Sequence, residues 1–273
     1  MRQNSTVLRT IDAALAAELT ALVAHASAAI LAIAPAAMAT RVKADSTPVT
    51  AADEAADRVI VEGLARLLPG LAIVSEESRD AAAVPGATFA LVDPLDGTKE
   101  FIAGRDEYTV NLAIVTDGAP IAGFIAVPAI GLLYRGVVGV GAERLGLDPA
   151  IAPVAIRCRR APQNGLVAAV SRSHLDADSE AFLARLAISE RISCGSALKF
   201  CRIAEGAADV YPRLAPTSEW DTAAGHAIVT AAGGEVTTPS GAPLRYGRAQ
   251  QDFKIPGFIA WGDPTRRVDP VPS

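Results

Sequence analysis

Two aspartates three residues apart, Asp93 and Asp96, flank Pro94 and Leu95 and are followed by Gly97 and the hydroxyl of Thr98. Carboxylates this close, with a peptide carbonyl between them, suit a hard, oxygen-ligated divalent cation better than Zn²⁺. Proline sets the turn and withholds an N–H, while glycine lets the backbone come close to a ligand. An Asp-Pro turn capped by the second aspartate would use the same residues without any chemistry. The residues before it bear on that choice. Phe89 to Val92 is a four-residue apolar run, expected as a short buried strand, and the carboxyl ends of such strands are where α/β proteins keep their ligands.

Two more segments place acids at the boundaries of expected elements. Glu76 and Glu77 follow a short strand expected over Leu71–Val74, and could be solvated loop acids. Asp221, in Glu219-Trp220-Asp221-Thr222-Ala223-Ala224-Gly225, stands at the start of an expected helix, where capping alone would account for it. If these acids converge with Asp93 and Asp96 they form a carboxylate cage for two or three Mg²⁺ ions. Two such ions about 3.5–4 Å apart can hold the attacking and leaving oxygens of an in-line phosphoryl displacement. That chemistry also needs a group to orient or deprotonate water, and Thr98 could share a proton relay with Asp53. Asp53 has a structural use as well, since Thr50 and Asp53 have capping-box spacing.

The elements that must carry these residues follow from periodicity. Leu15, Leu19, Leu22, Ala26, Ile30 and Ile33 recur at spacings of three or four, predicting a long amphipathic helix from Ile11 that stops at Pro35. Arg41 to Pro48 reads as a loop or hairpin. A second helix opens at Thr50 and ends at Pro69-Gly70. Residues 78–88 read as loop. Tyr108–Thr116 and Pro120–Val127 predict a hairpin across Asp117-Gly118, with a further strand over Leu132–Val138. Residues 141–165, with three prolines and the basic run Arg157-Cys158-Arg159-Arg160, are taken as the seam between an N-terminal lobe (1–155) and a C-terminal lobe (156–273), the basic run being solvated surface. The second half then alternates strand and helix: strands from Gly165, Ile188, Val210 and Gly257, helices from Asp178, Ala197 and Asp221. A mixed sheet followed by an α/β half places the chain in the mixed α/β class.

Composition narrows the functions. The 273 residues are 51% hydrophobic and 20% charged, enough for a sizeable core. A net charge of −5 argues against a protein that coats nucleic-acid polymers. Cys158, Cys194 and Cys201 lack ligand-like spacing and read as incidental thiols of a reduced, cytoplasmic protein. The apolar stretch 19–34 is interrupted by His25 and Ser27, so no membrane span is expected. No secretory signal is expected in the first residues.

The motifs Asp93-Pro-Leu-Asp-Gly-Thr98, Glu76-Glu77 upstream and Trp220-Asp-Thr-Ala-Ala-Gly225 downstream resemble those of the lithium-sensitive, Mg²⁺-dependent phosphatases of the inositol monophosphatase superfamily, in the same order from about Lys43 to Gly234. The resemblance implies a layered α-β-α-β-α sandwich of the inositol monophosphatase/fructose-1,6-bisphosphatase type. It makes Glu76, Asp93, Asp96, Asp221 and the Leu95 carbonyl metal ligands, and gives Glu77 a supporting or water-mediated contact. Asp53 and Thr98 become the water-activating pair, and Gly97 and Thr98 offer backbone N–H groups to the substrate phosphate. A homodimer is possible on the same ground.

Narrower features are similar to the bacterial 3′(2′),5′-bisphosphate nucleotidases. Inositol monophosphatases usually carry Asn where this chain has Glu100. Ser171-Arg-Ser-His174, Gly195-Ser-Ala-Leu-Lys199-Phe200 and Tyr211-Pro-Arg213 fit the nucleotidases. There the positions of Ser171, His174, Gly195 and Lys199 contact the nucleotide, and a second phosphate and a base do call for a cation and donors beyond the metals. Lys199 as a solvated helix residue and His174 as a loop residue are the plain alternatives, and Arg213 could instead pair with Glu219. The expectation is an Mg²⁺-dependent phosphomonoesterase acting on adenosine 3′,5′-bisphosphate, with an inositol- or sugar-phosphate phosphatase as the neighbouring reading.

Overall fold

Asp12 begins the first helix, its carboxylate accepting the Leu15 N–H at 2.8 Å. The computed structural model describes residues 10–33, 41–42, 48–78, 85–172 and 175–268. Helix α1 (Ala13–Leu31) buries Leu19, Leu22, Val23, Ala26 and Ile30. It is long and apolar enough to cross a membrane, more so than the interruptions at His25 and Ser27 suggested. Ser27 is buried without penalty because its hydroxyl donates to the Val23 carbonyl at 2.9 Å. The helix instead serves as a core element, packing on α2 (Ala51–Leu67) and on the sheet beneath. Between the two helices, β1 (Arg41–Val42) and β2 (Pro48–Val49) pair antiparallel, as the hairpin alternative expected.

The first sheet takes its strands in chain order: β3 (Ala72–Ser75), β4 (Thr88–Asp96), β5 (Thr109–Thr116), β6 (Ala119–Val127), β7 (Leu132–Val137), β8 (Gly141–Gly146) and β9 (Val154–Ile156). Within it only β3 and β4 run parallel, and a short helix, α3 (Thr98–Ile102), leads from β4 towards β5. The β5–β6 hairpin turns on Asp117 and Gly118, both with positive φ (51° and 74°), the conformation that suits the twist of a two-residue hairpin. Side chains alternate between two cores. Val110, Leu112 and Ile114 of β5 face α1 and α2, whereas Ala113 and Val115 face the other way. Strands β8 and β9 fall where the seam was expected. Gly141, Gly146 and four charged or exposed positions, Glu143, Arg144, Val154 and Ala155, blunt the alternation there, so β8 and the edge strand β9 carry little sequence signal, and the expected lobe boundary at 155/156 falls inside β9.

The second sheet holds β10 (Leu166–Ser171), β11 (Ile188–Cys194), β12 (Val210–Arg213), β14 (Glu235–Thr237) and β16 (Phe258–Trp261), in the order β11-β10-β12-β16-β14. A small separate ladder joins β13 (Thr217–Ser218) to β15 (Lys254–Ile255). Helix α4 (Ala177–Leu183) covers the outer face through Phe182 and Leu183. Helices α5 (Leu198–Ala204) and α6 (Ala223–Ala231) lie between the sheets, with Phe200, Ile203, Ile228 and Val229 in one core shared with both. The layers therefore run α1/α2, first sheet, α5/α6, second sheet, α4, which is the five-layer sandwich expected. The approach of α6 to the first sheet is close: a Cβ on Gly123 of β6 would lie 2.1 Å from the Ala224 carbonyl oxygen. That contact fixes where the start of α6, and Asp221 just before it, sits over the first sheet. The basic run differs from expectation at one residue. Arg159 makes a two-pronged pair with Asp209 (2.8 Å for each bond), and Asp209 is buried.

Candidate active site

The carboxyl end of β4 is bent by its own sequence. Asp93 pairs with Asn111 and Asp96 with Thr109, so three steps on β4 oppose two on β5. The extra residue is a bulge at Pro94-Leu95, where a residue without an N–H is tolerated and side chains are re-aimed. The buried Asp93 accepts the Leu95 N–H at 3.1 Å, closing the turn over Pro94. Asp96 accepts from Ala197 N at 2.7 Å and, at longer range, from Thr109 Oγ1 and Asn111 Nδ2 (3.4 and 3.5 Å). The Asp-Pro turn is thus the device that aims both carboxylates.

The remaining acids arrive from other elements. Glu76 follows β3, tied by its N–H to the Val92 carbonyl at 3.1 Å. Asp221 does not cap α6, whose N-cap is Thr222. Its carboxylate reaches back to the Thr217 hydroxyl and to the Ser218 N–H at 3.3 Å. Together with Asp93 and Asp96 these residues line a single cavity of about 560 Å³, walled further by Ser171, Lys199, Tyr211, Arg213, Trp220, Lys254 and Phe258. At its edge, Thr98 Oγ1 lies 3.1 Å from Asp53 Oδ1 and 3.2 Å from the Leu95 carbonyl. Asp53 Oδ2 accepts the Thr50 hydroxyl at 2.6 Å and the Thr50 N–H at 2.8 Å, so the capping box and the Thr98 contact coexist on different oxygens.

Electrostatics shows what the cluster lacks. Burial first, then the charges of Glu76, Asp96, Asp221 and Asp53, push Asp93 well above the usual carboxylate range. Asp96 is pushed up to about 7, by burial and then by Asp221, against the opposing pull of Lys199, the Ala197 N–H and Arg213. Asp53 is raised by burial, in part offset by its bonds to Thr50 and Thr98. Crowded carboxylates held this way call for positive charge. Among the described residues no three Asp, Glu, His or Cys side chains already meet as a closed ligand shell. The donors are nevertheless all hard oxygens, four carboxylates and the Leu95 carbonyl, the set that suits Mg²⁺, which retains several waters of its own. Among the described residues, the buried side-chain polar atoms without a partner are Asn111 Oδ1 and Arg213 Nε, from two residues that interact with Asp96. The residues fit a divalent cation.

The family model for the inositol monophosphatase family matches residues 8–256. The chain belongs to that family. Among its relatives, the 3′(2′),5′-bisphosphate nucleotidase CysQ of Escherichia coli (strain K12) is 43% identical over 219 residues, covering 79% of this chain and 86% of that one. CysQ of Buchnera aphidicola is 39% identical over 223 residues, covering 80% and 82%. The crystal structure of CysQ from Bacteroides thetaiotaomicron, described as a bacterial member of the inositol monophosphatase family, superposes with a TM-score of 0.76 at 36% identity, covering 91% of this chain and 97% of that one. The family and the relatives are those to which the motifs pointed.

Within this member of the inositol monophosphatase family, the expected site residues separate by location. Asp53, Glu76, Asp93, Leu95, Asp96, Gly97, Thr98, Ser171, Gly195, Lys199 and Asp221 line the cavity or bond to residues that do. Glu77 lines a different surface pocket, with Glu54, Asp57 and Arg58. His174 lies outside the described residues. Gly195 donates its N–H to Glu107 Oε2 at 2.9 Å, so its amide is engaged within the protein. Lys199 is buried in α5, not solvated, and its ammonium donates to the carbonyls of Cys194 (3.2 Å) and Ser196 (2.8 Å). Glu219 accepts from Gly247 N and Arg248 N, which disposes of the pairing considered for Arg213.

Glu107 gave no sequence signal and has a substantial place in the structure. It receives Arg172 through both oxygens (2.9 and 2.6 Å) as well as Gly195 N, while its own carbonyl accepts the Ser196 hydroxyl at 2.8 Å. The same hydroxyl lies 2.9 Å from the Asp96 carbonyl. This clasp draws the Gly195–Ala197 turn of the second sheet onto the Asp96 turn of the first. Two glycines make it possible: a Cβ on Gly97 would lie 2.3 Å from Ser196 Oγ, and one on Gly195 2.9 Å from the Glu107 carbonyl oxygen.

Proposed function

We propose that the protein is a Mg²⁺-dependent phosphomonoesterase that hydrolyses the 3′-phosphate of adenosine 3′,5′-bisphosphate, giving AMP and phosphate. The observation that carries this is the convergence of Glu76, Asp93, Asp96 and Asp221 from separate segments on one cavity that is also lined by Thr98 and four cationic residues, Lys99, Lys199, Arg213 and Lys254. The relatives named as 3′(2′),5′-bisphosphate nucleotidases support the choice of substrate. Glu76, Asp93, the Leu95 carbonyl, Asp96 and Asp221 would hold the cations, two or three in number, which when bound neutralise charge on the transferring phosphoryl group.

The rest of the chemistry belongs to the chain. Thr98 accepts a hydrogen bond from the attacking water and passes its own hydroxyl proton towards Asp53 Oδ1, 3.1 Å away. Burial raises Asp53, which makes it a better proton acceptor than an exposed aspartate. Thr50 pins the other Asp53 oxygen, so the proton arrives at a carboxylate of fixed orientation. Gly97 and Thr98 open α3, where the first N–H groups of a helix point outward and suit phosphate oxygens. Tyr211, Trp220 and Phe258 give the cavity an apolar wall against which a base can pack. No covalent enzyme intermediate enters this scheme. A cytoplasmic location belongs to the same proposal.

The test is phosphate release from adenosine 3′,5′-bisphosphate and from inositol 1-phosphate, each with and without Mg²⁺. The expected result is Mg²⁺-dependent release with a clear preference for the nucleotide. Preference for inositol 1-phosphate would refute the substrate assignment, and full activity in EDTA would refute the role given to the acids.

A further inference from the structure

Helix α2 carries a second buried aspartate that the chemistry above does not use. Asp57 stands four residues after Asp53, one turn further along the same buried face. Its Oδ1 accepts the hydroxyl of Ser75, the last residue of β3, which is buried as well. Neither residue lines the catalytic cavity. None of the ion pairs among the described residues includes Asp57. A carboxylate withdrawn from water is costly to hold, and an apolar pair would join helix to strand at less expense. The reason for a polar bond here lies in what it joins.

Strand β3 is an edge of the first sheet, four residues long and paired only with β4. Ser75 lies beside Val92 in parallel register, the Glu76 N–H donates to the Val92 carbonyl at 3.1 Å, and the next residue of β4 is Asp93. Beyond Ser75 the two acids part: Glu76 lines the catalytic cavity, and Glu77 the surface pocket that Asp57 also borders. So short an edge strand has ladder bonds on one side only, and its end needs a further restraint. Asp57 supplies one from α2. The same helix holds Asp53 Oδ1 3.1 Å from Thr98 Oγ1, at the start of α3 just beyond β4. Helix α2 therefore grips the carboxyl ends of both parallel strands, β3 through Ser75 and β4 through Thr98. With the β3–β4 ladder, these contacts close a ring around Glu76 and Asp93.

We propose that Asp57 and Ser75 are positioning residues: their bond sets the end of β3 against α2, so that Glu76 meets the cation at a fixed distance from the Asp53–Thr98 pair. This rests on the reading of the acids as Mg²⁺ ligands, and not on which phosphate ester is the substrate. The experiment measures Mg²⁺ binding by calorimetry without substrate, kcat on adenosine 3′,5′-bisphosphate at saturating Mg²⁺, and thermal unfolding in EDTA. The proteins are wild type, Ser75→Ala, Asp57→Asn and the double variant Asp57→Ala/Ser75→Ala. Ser75→Ala should weaken Mg²⁺ binding ~10-fold or more and lower kcat by a comparable factor, as loss of a group that orients a metal ligand does. Asp57→Asn keeps an acceptor for the Ser75 hydroxyl and should stay within about 3-fold of wild type in both, the lost charge acting only at a distance. The double variant strands no buried charge and should melt close to wild type. Its Mg²⁺ binding should nevertheless be as weak as that of Ser75→Ala, because the two substitutions break one and the same bond.

Unchanged Mg²⁺ affinity and kcat in Ser75→Ala and the double variant, with only the melting temperature altered, would overturn the proposal and leave the metal reading standing. An Asp57→Asn variant as impaired as Ser75→Ala would also overturn it, since the charge of Asp57 and not its bond would then be what matters. If Ser75→Ala does not fold, the double variant decides, and wild-type Mg²⁺ affinity in it overturns the proposal. A wild type that binds no Mg²⁺ overturns the metal reading and this proposal with it.

Discussion

Replacing Asp93 by Asn should stabilise the metal-free protein while abolishing turnover. The replacement keeps an acceptor for the Leu95 N–H, now 3.1 Å from Asp93 Oδ1, and removes a charge that burial and four neighbouring acids oppose. The native carboxyl holds its proton to a higher pH than the unfolded chain, where the ordinary value is 3.8. The unfolded state therefore releases its proton first, and this residue's contribution to stability falls as pH rises above that value. The ceiling is ~1.4 kcal/mol per pH unit over the range in which the native carboxyl keeps its proton and the unfolded one has lost it. Water in the open cleft and proton sharing with Asp96 reduce this slope. For a chain of this length each kcal/mol is roughly 2–4 °C in melting temperature. The assay is thermal unfolding followed by circular dichroism, in EDTA, on both proteins at about pH 5.5 and about pH 8. The Asp93→Asn variant is expected to widen its lead over wild type at the higher pH. Millimolar Mg²⁺ should raise wild type and erase much of the difference. A variant that melts at or below wild type at both pH values, with no change in the gap, would refute the reasoning about the acid cluster. Near wild-type phosphate release by the same variant would refute the ligand role.

Thr98→Ala should lower kcat by roughly 10²–10³, within the range for loss of an acid–base partner, with little change in melting temperature. Thr98→Ser should recover most of the activity, and if it does not, the hydroxyl is not what Asp53 uses. Glu107→Ala leaves the buried Gly195 N–H without its acceptor, which costs ~1–3 kcal/mol. Glu107→Gln keeps one acceptor and should fall between the two in thermal unfolding. Both variants should lower kcat more than they raise KM for the nucleotide, since the clasp seats the turn whose Ala197 N–H binds Asp96. A change confined to melting temperature would restrict Glu107 to holding the sheets together.

What could be read from the chain, and what could not, divides along a physical line. The turn from Asp93 to Thr98 was legible because the devices that bend it are local: Pro94 at a bulge, the Asx turn onto Leu95, and glycine at a left-handed position (φ 94°). The capping box of Thr50 and Asp53 was legible for the same reason. The two-residue turn at Asp117-Gly118 announced the pairing of β5 with β6, whereas the burial of both faces of their sheet depends on helices brought in from elsewhere in the chain. Strands β8 and β9 did not announce themselves: β8 carries Glu143, Arg144 and a glycine at each end, and β9, at the sheet's edge, is three residues long with two of them exposed.

The harder misreadings concern residues whose partner lies far along the chain. Lys199 lines the cavity, as a substrate cation would, but its ammonium also donates to the carbonyls of Cys194 and Ser196, in a turn that Glu107, 88 residues before Gly195, helps to hold. Arg159 looked like solvated surface and instead pairs with the buried Asp209, 50 residues on. Glu107 itself resembles any surface glutamate until Arg172 and Gly195 are brought to it. In each case the residue type states a capacity, one charge or a few donors, and the fold decides which neighbour uses it. The same accounting runs in reverse at Arg213. Among the described residues, the buried side-chain atoms without a hydrogen-bond partner are its Nε and Asn111 Oδ1, from two residues that interact with Asp96. A buried group that a completed fold has not used is the place where a ligand is expected to complete it.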